Sequence, residues 1–156
     1  MAKRAHKWVK VAGVVFQGAS ALTLDGKGRL TVPARHREVL VATAAGQLTI
    51  TKHPEGFLLV FPRPEWEGFR EKVMALPMEA AAWKRVFIGN AMDVEIDASS
   101  RVLISPELRA AAGLSRDVML LGLGHYFELW DRERHAAFDA GLAQVPMPES
   151  IKNFSF

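Results

Sequence analysis

A chain of 156 residues that is 49% apolar, with mean hydropathy near zero, is an ordinary globular sequence of one or two small domains. It holds no cysteine, which excludes disulfide frameworks, thiolate metal sites and cysteine nucleophiles and leaves no argument for an oxidising compartment. The formal charge of +3 comes from 20 basic and 17 acidic residues, but Lys3, Arg4, Lys7 and Lys10 meet no acid in residues 1–14; the remaining 16 basic residues face 17 acidic ones, so global basicity identifies no partner.

Residues 1–15 read as an extension. Lys10 interrupts the apolar run and leaves Val11 to Phe16, shorter than the roughly 7–15 residues of a signal core, so a cytoplasmic chain is expected. A short strand at Ala21 to Leu24 leads into Asp25-Gly26-Lys27-Gly28-Arg29, a turn in which Asp25 can cap backbone N–H groups and Gly26 and Gly28 allow positive φ. Leu30-Thr31-Val32 is a strand; Pro33 ends it and opens a helix with Val39 and Leu40 inward and Gly46 past its end. Strands follow at Leu48 to Lys52 and Phe57 to Phe61, around a Pro54-Glu55-Gly56 turn. From Glu65 the period changes: Trp66, Phe69, Val73 and Leu76 form the apolar stripe of a helix that Pro77 stops. A second helical stretch, Glu79 to Ile88, closes at Gly89-Asn90.

The plan then recurs in Asp97-Ala98-Ser99-Ser100-Arg101-Val102-Leu103-Ile104-Ser105-Pro106. An offset of 72 residues carries Asp25 onto Asp97 and Arg29 onto Arg101, and one of 69 carries Phe57–Phe61 onto Tyr126–Trp130 and Phe69 onto Phe138. The difference is a loop deletion, where length changes are tolerated. Ser105, Pro106 and Glu107 supply cap, first position and first-turn acid of a helix ending at Gly113. Gly122 and Gly124 suit a hairpin turn, and Asp131 caps a last helix whose inner face carries Phe138 and Leu142. Past Pro146 the tail holds too little pattern for any element. Two copies of a unit longer than about 50 residues are a duplicated domain rather than a solenoid, and units so small lean on a neighbouring repeat or subunit. The expected divisions are an extension at 1–15, a repeat at 16–66, a helical connector at 67–91, a second repeat at 92–138 and a tail at 139–156.

Catalysis finds no constellation. His6, His36, His53, His125 and His135 are scattered without helical i, i+4 spacing or an accompanying carboxylate cluster, and read as surface or turn residues; no metal or cofactor is expected. Gly26 and Gly28 lack the Gly-Lys-Ser/Thr of a phosphate loop. The basic residues of the first turn carry more. Asp25 to Arg37 sets Lys27, Arg29, Arg35 and Arg37 against one acid, whereas Asp97 to Arg109 balances Arg101 and Arg109 against Asp97 and Glu107. A solvated turn in which Asp25 merely pairs with Arg29 is worth at most about 1 kcal/mol. A strand-borne Arg, however, can read a guanine edge while Lys meets phosphate, so duplex DNA is the natural partner of this cluster. Trp66, Phe69, Trp83, Phe87 and Trp130 sit at core spacing with none beside the basic turn, and are assigned to cores and subunit contacts.

Phe16-Gln17-Gly18-Ala19, Leu24-Asp25-x-Lys27-Gly28-Arg29-Leu30-x-Val32-Pro33, Lys52-His53-Pro54, Leu58-x-x-Phe61-Pro62-x-Pro64-Glu65-Trp66, Gly89-Asn90-Ala91 and Phe127-Glu128-Leu129-Trp130-Asp131 together closely resemble the MraZ family of bacterial transcriptional regulators. The resemblance runs from about Phe16 to His135 and includes the duplication. It implies a mixed α+β, mainly β fold: a tandem duplicated, swapped-hairpin, AbrB-like β-barrel with flanking helices. It also implies a ring-shaped homo-oligomer, octameric or similar, in the cytoplasm and at the nucleoid, repressing its own division and cell-wall operon through tandem promoter repeats. The family's Asp-x-x-x-Arg motif maps onto Asp25 with Arg29 and Asp97 with Arg101. The expected DNA contacts are Lys27, Arg29, Arg35, Arg37 and Arg101, with Asp25, Gly26, Gly28 and Asp97 orienting the turns; no membrane or small-molecule substrate is implied.

Two departures qualify the carry-over: Ser99-Ser100 replaces the Lys-Gly of the first copy, and Ser105 stands where relatives often have Pro, which weakens the case for DNA contact by the second copy. Relatives also tend to begin with Met before Phe-x-Gly, where this chain has Val15, so translation from Val15 is expected. The alternative is a protein-interaction module or antitoxin on the same barrel, though the tail from Pro146 is short and carries few charges. An enzyme comes third.

Overall fold

The computed structural model describes residues 15–154, and the expectations for residues 1–14 lie outside the described residues. The first repeat comprises β1 (Phe16–Thr23), β2 (Arg29–Thr31), α1 (Ala34–Ala44), β3 (Gln47–Lys52) and β4 (Leu58–Pro62). Helix α2 (Arg63–Met74), a 3-10 turn at Met78–Ala80 and α3 (Ala81–Phe87) lead to the second: β5 (Met92–Glu95), β6 (Arg101–Leu103), α4 (Pro106–Ala111), β7 (Asp117–Gly124) and β8 (Phe127–Asp131). Helix α5 (Arg132–Gly141), a 3-10 turn at Leu142–Gln144 and the single turn α6 (Glu149–Lys152) follow.

The repeats interleave rather than stand side by side. A six-stranded antiparallel sheet runs β1-β7-β8-β4-β3-β5, and β2 and β6 form a separate ribbon. Each repeat thus completes the other: β1 lies on β7, and its counterpart β5 on β3. The ribbon pairs symmetrically about Leu30 and Val102, and β4 with β8 about Leu59 and Glu128. Those partners are 72 and 69 residues apart, the two offsets of the sequence repeat. Both pairings therefore straddle one pseudo-two-fold axis, the geometry of a swapped hairpin carried within a single chain.

Strand β4 is buried along its whole length, so it reads as an unbroken apolar run rather than an alternation. Leu58 and Val60 point into a core shared with Leu30, Val102, Leu40 and Leu108 from the ribbon, α1 and α4. Phe57, Leu59 and Phe61 point the other way, onto Trp66 and Trp130, with Phe69 and Phe87 closing that side. Ser105 accepts from the Leu108 N–H at the start of α4 and Asp131 from the Arg134 N–H at the start of α5, as their positions predict. Arg63 and Arg132 pin the sheet at equivalent places: Arg63 donates to the Leu48 and Val94 carbonyls at 2.7 and 3.3 Å, Arg132 to the Val118 and Leu22 carbonyls at 3.5 and 2.7 Å.

Five expectations need correction. Strand β1 begins at Phe16, not Ala21; Gly18, Ala19 and Ser20 are small and largely exposed, so no apolar alternation marks them, and the strand exists because β7 pairs it throughout. Gly122 belongs to β7 rather than a turn: a Cβ there would lie 2.5 Å from the Gln17 nitrogen and 2.7 Å from the Phe16 carbonyl carbon, so close approach of β1 requires glycine. His36 is buried, 4% exposed, with its ring edge-on to Phe16 and Phe127. Phe138 and Leu142 are about half exposed: Phe138 packs its ring on Trp130 and leaves its other side to solvent, and Leu142 follows the end of α5. The tail contains α6, held locally by a Lys152–Glu149 ion pair at 3.4 Å. Among the described residues no helix is long and apolar enough to cross a membrane.

Candidate nucleic-acid interface

The Asp25 carboxylate organises the first turn. Its Oδ1 accepts from the backbone N–H of Lys27 at 2.9 Å and of Arg29 at 2.8 Å, and its Oδ2 accepts from Arg29 Nε at 2.7 Å. The turn closes with the Asp25 N–H on the Arg29 carbonyl and the Gly28 N–H on the Asp25 carbonyl. Gly28 takes the left-handed conformation, φ 82°, that this closure demands. The bonds hold the Asp25 carboxyl at about 2, the Arg29 backbone N–H contributing most, desolvation opposing it, and the Arg29 guanidinium and Lys27 N–H adding to it. The carboxylate's contribution to stability is therefore complete above the ordinary value of 3.8 and lost only as pH falls through about 2.

The second turn repeats this arrangement without glycine. Asp97 accepts from the N–H of Ser99 at 2.8 Å, the N–H of Arg101 at 2.9 Å and Arg101 Nε at 3.2 Å. Its carboxyl is likewise held low, chiefly by the Arg101 N–H. Ser100 adopts φ 68° where Gly28 stands in the first copy. The Arg29 and Arg101 side chains are 29% and 31% exposed, so the two turns present their cations alike.

The ribbon brings these cations together. Arg29 lies opposite Leu103 and Thr31 opposite Arg101, while Leu30 and Val102 turn into the core. Residues directly opposite, and those two apart on one strand, share a face. Arg29, Thr31, Arg101 and Leu103 thus make up the outer face, with the two arginines on a diagonal of roughly 7–8 Å between Cα atoms. Lys27 and Ser99 stand exposed at the turns flanking it. Among the described residues Nε is the one side-chain nitrogen of each arginine with a hydrogen-bond partner, and the terminal Nη nitrogens of Arg29 and Arg101 have none. Each guanidinium is therefore fixed at its base and open at its tip.

The other expected contacts sit differently. Arg35 is exposed on α1 and its Nη2 donates to Ser20 Oγ on β1 at 3.0 Å. Arg37 is half-buried, and its Nη1 donates to Ser100 Oγ at 2.8 Å, across the pseudo-axis in the second turn. Gly26 is exposed and Gly28 buried. Arg109 had no assigned role, yet its guanidinium lies against Gly28: a Cβ there would stand 2.5 Å from Nε. The offset of 72 that pairs Arg37 with Arg109 was the available signal. Among the described residues no group of three or more His, Cys, Asp or Glu side chains could hold a metal ion.

Comparison with known proteins agrees with this architecture. The family model described as "MraZ protein, putative antitoxin-like" matches twice, over residues 15–86 and 87–152. The chain is 69% identical over 146 residues to the transcriptional regulator MraZ of Methylibium petroleiphilum, covering 94% of this chain and 100% of that protein. It is 67% identical over 141 residues to that of Leptothrix cholodnii, covering 90% and 97%, and 66% identical over 142 residues to that of Verminephrobacter eiseniae, covering 91% and 100%. With both repeats matched and the interleaved fold in place, the chain belongs to the MraZ family of transcriptional regulators.

Proposed function

We propose that the chain is a sequence-specific duplex DNA-binding regulator, a repressor of its own promoter, and that the outer face of the β2–β6 ribbon is its reading surface. The observation that carries this is the diagonal pair of arginines, each anchored through Nε by its own turn carboxylate and open at Nη. A two-stranded ribbon fits the major groove, and a pre-oriented guanidinium can meet guanine O6 and N7 together, worth about 1–3 kcal/mol of discrimination. Holding the side chain through Asp25 or Asp97 removes rotamer freedom before DNA arrives, so less ordering remains at binding. Lys27, exposed at the turn flanking this face, and Arg35, exposed on α1, supply phosphate contacts.

Family membership supports the remainder of the reading: a cytoplasmic, nucleoid-associated ring of identical chains acting on the division and cell-wall operon. Exposed Phe138, Leu142, Met74 and Trp83 offer apolar surface for such contacts between copies. A ring presents many copies of a modest site, so tandem promoter repeats are held by avidity. The test is binding of the purified full chain, at physiological salt, to the duplex upstream of its own gene beside a scrambled duplex, with oligomer size measured on the same sample. Tight binding to the native fragment alone is expected. Equal, weak binding of both duplexes would remove the regulator reading and favour the antitoxin-like alternative, in which the partner is a protein.

A further inference from the structure

The two turns are not held by their own repeats alone. The Ile104 N–H, just ahead of α4, donates to the Gly28 carbonyl at 2.9 Å, and the Val32 N–H, just ahead of α1, donates to the Ser100 carbonyl at 2.8 Å. Each helix then sends an arginine back to the turn its repeat does not contain. Arg109 Nε donates to the Ile104 carbonyl at 3.0 Å, which lays its guanidinium across the Cα of Gly28; a Cβ there would also lie 2.6 Å from Cζ and 3.0 Å from Nη2. On the other side of the axis the slot is filled by the Ser100 side chain, and Arg37 Nη1 bonds its hydroxyl.

From this reciprocal crossing we infer that Arg37 and Arg109 are positioning residues, Arg109 fixing the turn that carries Arg29 and Arg37 the turn that carries Arg101. The inference rests on the ribbon being the DNA-reading surface, and it changes the role of Arg37 from a contact to a brace. Charge alone would make both arginines phosphate ligands. Their placement argues otherwise: the Arg109 guanidinium lies against the backbone of Gly28, and the half-buried Arg37 ends on the Ser100 hydroxyl. It also explains why the copies differ at one position, since glycine makes room for a guanidinium lying over the turn and serine gives one a hydroxyl to hold.

The test combines wild type, Arg29→Ala, Arg37→Ala and Arg109→Ala in two measurements. Affinity for native and scrambled duplexes is followed across salt, and hydrogen–deuterium exchange of peptides spanning residues 25–31 and 97–103 is measured without DNA. Arg109→Ala is expected to weaken native binding by roughly 2- to 10-fold, the span of one lost hydrogen bond, while leaving scrambled binding and the salt slope at wild-type values. Exchange should quicken in 25–31 alone; Arg37→Ala should quicken 97–103 alone. A slope reduced by about 0.9 would make Arg109 a direct phosphate ligand and overturn the inference. So would unchanged exchange in the opposite turn. If wild type fails to prefer native DNA, or Arg29→Ala binds as wild type does, the DNA reading fails, and exchange still decides what braces the turns. Should Arg109→Ala not fold, Arg109→Lys, which keeps the charge but loses the Nε bond to Ile104, must give the same exchange pattern.

Discussion

Exchanging the residues at the equivalent left-handed positions of the two turns, Gly28 and Ser100, gives an asymmetric result that can be worked out in advance. Gly28→Ser puts a side chain at φ 82°, which costs about 1–2 kcal/mol for a non-glycine residue. Its Cβ also falls 2.5 Å from Arg109 Nε, so Arg109 leaves the Ile104 carbonyl at a further cost of about 0.5–1.5 kcal/mol. With about 0.4–1 kcal/mol returned by the lower unfolded-state entropy of serine, the sum is about 0.5–3 kcal/mol; at roughly 2–4 °C per kcal/mol for a chain of this size, Tm falls by about 1–12 °C. Ser100→Gly runs the other way. Relief of about 1–2 kcal/mol at φ 68° is offset by loss of the Arg37–Ser100 bond, about 0.5–1.5 kcal/mol, and by about 0.4–1 kcal/mol of added unfolded-state entropy. The terms nearly cancel, leaving at most about 1.5 kcal/mol either way, and Tm should stay within about 6 °C of wild type. Calorimetric melts at one fixed protomer concentration, since association shifts Tm, provide the assay. If Gly28→Ser proves as benign as Ser100→Gly, neither the left-handed backbone nor the Arg109 contact governs the first turn.

Three further outcomes are expected. His36 is kept below its ordinary value of 6.5, first by burial and then by the Arg35 charge; its unfolded form binds the extra proton, so stability is whole above pH 6.5 and declines below it by at most about 1.4 kcal/mol per pH unit. His36→Leu, which installs the residue that Leu108 provides in the second repeat, should flatten that decline in denaturant titrations at pH 5 and 8, and an unchanged slope would point to another group. Gly122→Ala pushes β1 from β7 and should lower stability by about 1–3 kcal/mol, whereas Gly141→Ala, with nothing within 4 Å, should be neutral or stabilising; equal melts would refute the close-approach argument. Lys27→Ala should reduce the salt slope by about 0.9 without changing sequence preference, and Arg29→Ala should lose about 5- to 150-fold of preference for native duplex. Equal effects of both on native and scrambled DNA would abolish that division of labour.

Motif and repeat made the two turns legible in the sequence, because a capped turn is a local object: Asp25, Gly28 and Arg29 lie within five residues, and their bonds depend on little else. The repeat likewise exposed the pseudo-symmetry, since Leu30 with Val102 and Leu59 with Glu128 pair at the very offsets read from the chain. What stayed hidden was contact across the axis. Arg37 on Ser100 is 63 residues distant and Arg132 on Leu22 is 110, and no periodicity within one segment encodes either. Strand β1 escaped for a related reason, its pairing being set by β7 rather than by its own small residues. The burial of His36 followed from the same interleaving, because Phe127 of the second repeat packs against its ring.

The most direct measurement places a photoreactive phenylalanine analogue at Leu103, which is 49% exposed on the outer ribbon face between the two arginine-bearing turns, and a second at Met78, 89% exposed beyond the sheet's opposite side. Irradiation of the intact protein on its upstream duplex should yield DNA adducts from position 103 and none from position 78. Adducts from position 78 with none from 103 would show that DNA lies on another surface and that the ribbon is not the reading face.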